Sequence, residues 1–368
     1  MQQLLLTGAR VMDLLTLIEI LAERLGEAPL AGLFGLLTGV TFGVAAQRSR
    51  FCLRAATVEF ARGGMGDRMA VWLLTFSTAV VWVQGAELLG LMRSADARMM
   101  AVPGSWSGAI IGGLIFGVGM VLARGCSGRL LVLAATGNLR SVVSGLIFAV
   151  VAQMSLSGML SPLRDKIAAL WVTSGGRNMD LLVEAGLPNW GGLALGLAIA
   201  VVALVLARRS QISASRLIFA SGVGFAVALG WVLTYGLSQV AFDPVQIESA
   251  TFTGPSAHTL MFFLDRNAIL EFDIDLVPGV FIGAMLAAWA AGEMKLQAFD
   301  DAATMRKAMI GAVLMGFCGM LAGGCAIGAG VTGGSIFAGT AWLALFFMWV
   351  GAMATDLLVD QRGAQPAT

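Results

Sequence analysis

An eighteen-residue segment of this chain, Ala109–Cys126, returns 199 positions later as Ala308–Cys325. Without gaps, Ala109, Ile111, Gly112, Gly117, Leu122, Ala123, Gly125 and Cys126 meet Ala308, Ile310, Gly311, Gly316, Leu321, Ala322, Gly324 and Cys325. Both copies are apolar and both close on Gly-Cys, so the fold must accommodate one unit twice. A shorter echo, Gly39–Ala45 against Gly222–Ala228, keeps five residues of seven and opens each half.

The medium is a bilayer. Hydrophobic residues make up 58% of the chain and charged ones 12%, against about 25% charged in a soluble domain. Forty-eight glycines suit closely packed membrane helices, and a net charge of +1 offers no footprint for nucleic acid. Hydropathy predicts nine spans, each of about 18–25 residues, the length that crosses as helix. They lie near Pro29–Gln47, Arg68–Met92, Gly104–Ala123, Leu139–Leu160, Trp190–Ala207, Arg216–Val240, Leu276–Met294, Met305–Ala322 and Phe337–Ala354. Residues 1–27, with Arg10, Asp13, Glu19, Glu23 and Arg24, lack the clean apolar core of a cleaved signal and read as an amphipathic interfacial helix. The first repeat half is then 28–160, a linking loop and span 161–215, the second half 216–356, and a tail 357–368.

Nine spans place the loops alternately on two faces. One face collects Arg48, Arg50, Arg54, Arg62, Arg68, Arg124, Arg129, Arg140, Arg208, Arg209, Arg216, Lys295, Arg306, Lys307 and Arg362, fifteen of the 23 basic residues. The positive-inside rule makes this face cytoplasmic, leaving the N-terminus and the acidic stretch Asp243–Asp275 outside and the C-terminus inside. Five spans separate the start of one copy from the start of the other, and an odd number inverts the second. The expected fold class is an all-α integral membrane protein: an inverted repeat of two four-helix units, nine transmembrane helices and short re-entrant helices. Such architectures are transporters whose site lies where the copies meet.

Four segments are too polar and glycine-rich to span: Arg48–Gly63, Arg124–Gly137, Ser249–Leu264 and Gly323–Ser335. At membrane depth, irregular backbone must be shielded or line a wet path. Half-helices with their N-termini inward do this, and their free N–H groups favour an anion. Cys126 with Gly125, and Cys325 with Gly324, put a thiol at such a terminus in both halves; Cys52 ends a span in the same way. Arg50 and Arg124 precede two of these thiols by two residues and would draw an anion at the cytoplasmic end. Cys318 aligns with Gly119 in mid-span and reads as packing. A metal site is disfavoured by a single histidine, His258, expected as a solvated loop residue, and by the lack of a Cys-x-x-Cys pair. No cofactor is implied. Glu87, Gln84 and Gln153 are the polar groups within spans, and none identifies a proton-coupling carboxylate; Thr251, Thr253 and Ser256 are the candidates for a coupling cation.

The strings Arg48-Ser-Arg-Phe-Cys-Leu53, Arg124-Gly-Cys-Ser-Gly128, Ala135-Thr-Gly-Asn138 and Gly323-Gly-Cys-Ala-Ile-Gly328 resemble the YeeE/YedE sulfur-transport family, from about Gly35 to Gly351. The resemblance implies an inverted-repeat fold with nine spanning helices and an inner-membrane permease, not an enzyme. It also implies thiosulfate or a related sulfur or selenium species as substrate, three pore-lining cysteines matched by Cys52, Cys126 and Cys325, and a small cytoplasmic TusA-type sulfur carrier as partner. The expected mechanism is a relay in which neutral S–H groups pass the anion along, Cys52 and Cys126 forming the inner steps and Cys325 the outer one. A membrane thiol oxidoreductase using the same cysteines covalently is the alternative; a purely structural membrane subunit is the third.

Overall fold

Glycine steps along the apolar runs decide how the helices pair. The computed structural model describes residues 2–266, 269–298 and 301–360, with side chains described from residue 14 to residue 359. The side chains of Arg10 and Asp13, and Arg362 with the rest of the tail from 361, lie outside the described residues. In chain order the helices are α1 (Gln2–Leu25), α2 (Glu27–Ser49), α3 (Leu53–Ala61), α4 (Asp67–Leu88), α5 (Arg98–Ala101), α6 (Trp106–Leu122), α7 (Ser127–Ala135), α8 (Leu139–Leu156) and α9 (Ser161–Ala168). They continue with α10 (Leu181–Glu184), α11 (Gly191–Arg209), α12 (Ala214–Val240), α13 (Thr253–Phe262), α14 (Phe272–Ala290), α15 (Ala302–Leu321), the π-wound α16 (Ala326–Gly333) and α17 (Gly339–Thr355). Among the described residues there is no strand, only three isolated bridges between loops.

Nine segments among the described residues are long and apolar enough to cross a membrane. The chain is a multi-pass membrane protein. Three of the nine are broken by a cysteine: Glu27–Ala61 at Cys52, Trp106–Ala135 at Cys126 and Ala302–Gly333 at Cys325. The spans otherwise fall near where hydropathy puts them, although the helices end at Leu88, Leu156 and Ala290, short of the expected Met92, Leu160 and Met294. α2 and α14 each begin a few residues early, because Glu27, Asp273 and Asp275 sit in first turns. Acidic side chains favour a helix N-terminus, whereas a hydropathy window scores them against a span.

Without water to drive them together, membrane helices associate by close backbone approach at small residues. Gly35, Gly39 and Gly43 on α2 lie against the backbone of Phe272, Leu276 and Val280 on α14, and the two helices run parallel. Gly113 and Gly117 on α6 meet Ala344 and Met348 on α17 in the same way. α6 and α15 pack antiparallel. A Cβ on Gly112 would lie 2.8 Å from the Cys318 carbonyl oxygen and 2.7 Å from the Ala322 nitrogen. One on Gly311 would lie 2.5 Å from the Gly119 carbonyl oxygen and 2.6 Å from the Ala123 nitrogen. Adding 199 to the residues of α6 and subtracting it from those of α15 turns the first pair of contacts into the second. The larger packing has matching pairs too: α2 on α14 with α12 on α4, α6 on α17 with α15 on α8, and α3 on α4 with α13 on α14.

Ion pairs knit the basic face. Arg216 at the start of α12 donates to Asp67 Oδ2 (2.8 Å) and to the Ser49 carbonyl (3.0 Å), holding the ends of three helices. Arg62, just past α3, makes a two-pronged contact with Asp356 at 2.9 and 2.7 Å. The Asp356 side chain is wholly buried and that of Arg62 half exposed. Removing one partner strands a buried charge, so Arg62→Ala is expected to cost about 3 kcal/mol. A melting temperature several degrees lower in detergent, read by thermal shift on purified protein, checks this.

Candidate functional site

Each cysteine break is built alike. The long helix ends in a left-handed residue, and the cysteine follows two positions later as N-cap of a short helix. The sets are Arg50 (φ 56°) and Cys52 before α3, Arg124 (φ 57°) and Cys126 before α7, and Gly323 (φ 77°) and Cys325 before α16. Left-handed backbone is costly for a side-chain-bearing residue, by about 1–2 kcal/mol. Glycine meets that need at 323, but arginine occupies it at 50 and 124. The turn therefore carries two guanidinium groups that backbone geometry alone disfavours. Both are exposed. Arg50 pairs with Glu293 at 3.2 Å, beside the Gln47 amide, which donates to the same carboxylate at 2.9 Å.

The first turns of α7 and α16 come together. A Cβ on Gly128, one residue into α7, would touch the Phe252 ring at 3.1 Å and Ile327 of α16 at 3.3 Å. Thr251 lies directly against Gly328. Cys126 is buried within electrostatic reach of both Cys52 and Cys325. Cys325 is wholly buried, and its Sγ accepts from the Gly328 amide at 3.4 Å; Cys52 is half buried, and all four cysteines are free. The C-terminal ends diverge. The turn after α7 bonds to the backbone of Lys295 and Gln297 on the basic face, and the turn after α16 bonds to Met179 and Leu181 on the opposite face. A fourth short helix, α13, has Phe252 as N-cap, where the others have cysteine.

A cavity of about 480 Å³ opens on the face opposite the basic one and reaches Gly323 and Gly324 at the third break. Its walls carry Arg98, Glu248, His258, Asp273, Trp231 and Thr253. Three buried atoms there have no hydrogen-bond partner: Trp231 Nε1, Thr253 Oγ1 and Asp273 Oδ1. The other carboxylate oxygen of Asp273 is held by His258 Nδ1. Arg98 donates to the Gln246 side chain at 3.0 Å. Buried polar groups are normally paired, so these orphaned atoms mark a place a ligand or water can fill. Of the residues singled out from sequence, Gly324, Thr251, Thr253 and His258 line this cavity; Cys325, Cys52, Cys126, Gly125, Arg50 and Arg124 are not in its wall.

Several buried polar groups escaped sequence reasoning. His258 is on α13 and half buried against Asp273, not in a solvated loop. Asp273 is a buried first-turn residue of α14, not part of an exposed acidic stretch. Arg129, counted only as a basic-face residue, sits in the first turn of α7 with Nη1 buried and unpartnered, within charge reach of Cys126. Its signal was the spacing: three residues after the cysteine, it shares the helix face of the N-cap. Glu87 accepts from the Ser94 hydroxyl and amide at 2.6 and 3.1 Å, a cap for the following turn. Cys318 is buried in the α6–α15 contact, as its alignment with Gly119 implied. Among the described residues no group of His, Cys, Asp and Glu is placed to hold a metal ion.

Residues 48–354 match the family model described as sulphur transport. The thiosulfate transporter TsuA of Escherichia coli (strain K12) is 28% identical over 375 aligned positions, covering 91% of this chain and 97% of the relative. TsuA of Spirochaeta thermophila is 28% identical over 352 positions, covering 89% and 99%. With the family model spanning all three cysteine breaks, the chain belongs to the sulphur-transport (YeeE/YedE) family.

Proposed function

We propose that this protein is a permease that takes thiosulfate in from the cavity face and passes it to the basic face by way of Cys325, Cys126 and Cys52. The observation that carries the reading is the shared build of the breaks: a thiol at the first turn of a short helix, three times, with the first turns of α7 and α16 in contact and Cys52 within electrostatic reach of Cys126. Thiosulfate is a dianion with a soft terminal sulfur, and hydrocarbon alone is closed to it. Helix N-termini offer unpaired amides and partial positive charge. Neutral S–H groups donate weakly to the terminal sulfur; a thiolate would repel the ion. Weak sites in sequence suit conduction, because one tight site would trap the ion.

The roles of the arginines follow from their places. Arg129 sets a buried positive charge beside Cys126, the middle step. Arg50 and Arg124, exposed at the basic face, favour arrival and release there. In this reading the two halves are an inverted repeat, supported by the mirrored contacts of α6 with α15 and by the paired packing of the other helices. The basic face is then cytoplasmic and the membrane is the inner one. A TusA-type carrier, implied by the family resemblance, would collect sulfur at that face.

The test is uptake of ³⁵S-thiosulfate by a host lacking its own sulfate and thiosulfate importers. Expression of this protein is expected to restore uptake. A tenfold excess of unlabelled thiosulfate should compete strongly and sulfate weakly, since sulfate has no terminal sulfur. Equal competition by sulfate would remove the thiols from the recognition argument, and competition by a selenium analogue alone would reassign the substrate.

A further inference from the structure

The cavity that admits the anion has negative groups in its wall. Glu248 and Asp273 both line it, with Glu271 within charge reach, and a divalent anion must come in past them. The cations facing this cluster are His258 on α13 and Arg98 on α5. Arg98 is engaged with Gln246, and Arg164, at the rim, is paired with Asp165 at 2.7 Å. Asp273 Oδ1 is buried without a partner, although its carboxylate is tied to His258 through the other oxygen. Oδ1 is an open hydrogen-bond acceptor in the cavity wall. Glu248 enters from the loop before α13, pinned there by its backbone: its N–H donates to Thr234 Oγ1 at 3.2 Å, and its carbonyl accepts from the same hydroxyl at 2.7 Å. Its carboxyl group is thus held beside the His258–Asp273 pair by the fold rather than by an ion pair of its own.

We propose that Glu248, His258 and Asp273 form a proton-binding group that admits a divalent anion to the cavity only while it holds a proton. This rests on the permease reading and adds to it a ligand, the proton, and a site for it. The proton comes from the water at the cavity mouth and settles on the carboxyl cluster, so the wall becomes less negative by one charge as the dianion arrives. Protonation affinities fit the role. Burial first, and then the Asp273 carboxylate, push Glu248 up to about 8. The Asp273 hydrogen bond, against the opposing effect of burial, raises His258 from its ordinary value. Glu248 therefore holds a proton near neutrality and loses it as pH rises, and His258 gives up its proton less readily than an ordinary imidazole.

The experiment is thiosulfate uptake into proteoliposomes as a function of outside pH, for the wild-type chain and for Glu248→Gln. In the wild type, the thiosulfate concentration giving half-maximal uptake is expected to be level below pH 7. Above pH 8 it should climb about tenfold per pH unit. Glu248→Gln, a permanent neutral mimic, is expected to flatten the curve. Replacing sodium with potassium should change nothing. A wild-type curve level from pH 6 to 9, an unaltered slope in Glu248→Gln, or a requirement for sodium in place of the pH dependence would each overturn the proposal. Should Glu248→Gln not fold, calorimetry on the wild type decides. Thiosulfate binding at pH 8, measured in two buffers of different ionisation enthalpy, should show net proton uptake, and none would overturn the proposal. Absence of thiosulfate uptake at every pH, by contrast, would strike the permease reading itself.

Discussion

Thiosulfate uptake by a host that depends on this protein is expected to fall about tenfold or more in Cys126→Ala and Cys325→Ala, because a hydrogen bond to a charged group contributes roughly 1.5–3 kcal/mol. Both side chains are buried at first turns of short helices, where alanine fits without clash but donates nothing. Cys318→Ala is the internal control. Its thiol is equally buried, yet it sits within the last turn of α15 against α6 and is not at a helix N-terminus, so uptake should stay within twofold. Serine separates the chemistries. A hydroxyl still donates, so Cys126→Ser is expected to keep measurable uptake, whereas a covalent thiol–disulfide mechanism would be as dead with serine as with alanine. Immunoblots of the membrane fraction must show equal amounts of each variant. Uptake unchanged in both alanine variants would remove the thiol relay, and a mixed disulfide trapped on non-reducing gels would favour the oxidoreductase.

The breaks were legible because their physical requirement is local. A helix that must end, turn through a left-handed residue and restart leaves a mark in the chain: Arg50-Phe-Cys, Arg124-Gly-Cys and Gly323-Gly-Cys. Span positions were legible for the same reason, since length and apolarity are properties of one segment at a time. What sequence reasoning missed is burial of charge, which depends on neighbours far along the chain. Glu248, His258 and Asp273 all lie in a stretch whose composition reads as an exposed acidic loop, yet α13 and α14 fold it against α12 and the third break. Counting charge there gave the wrong environment. Arg129 was absorbed into the positive-inside tally, a rule about faces that says nothing of a guanidinium turned inward. The short helix α13 shows a related limit: without a cysteine, only its glycine and proline content marked it as non-spanning, and Phe252 gave no chemical signal.

Gly112→Leu and Gly311→Leu are expected to abolish the folded protein, and to do so to similar extents. Overpacking of a soluble core typically costs about 1–3 kcal/mol, because side chains shift to make room. Here the atoms in the way are backbone. A Cβ at 112 meets the Ala322 nitrogen at 2.7 Å and the Cys318 carbonyl at 2.8 Å, and one at 311 meets the Gly119 carbonyl at 2.5 Å and the Ala123 nitrogen at 2.6 Å. Neither can yield unless α6 and α15 move apart, which would separate the ends that carry Cys126 and Cys325. Gly145→Leu, on α8 with nothing within 4 Å of the added carbon, serves as the tolerated comparison. Fluorescence-detected size exclusion of tagged variants in mild detergent should show the monodisperse peak for Gly145→Leu and its loss for the other two. The matched severity is the informative part. If the halves are related as the 199-residue register implies, the two glycines face the same contact from opposite sides, and one cannot be tolerant while the other is not. A tolerated Gly311→Leu beside a lethal Gly112→Leu would mean that the mirrored contacts are not energetically paired, and the case for two inverted halves meeting at the thiols would lose its structural support.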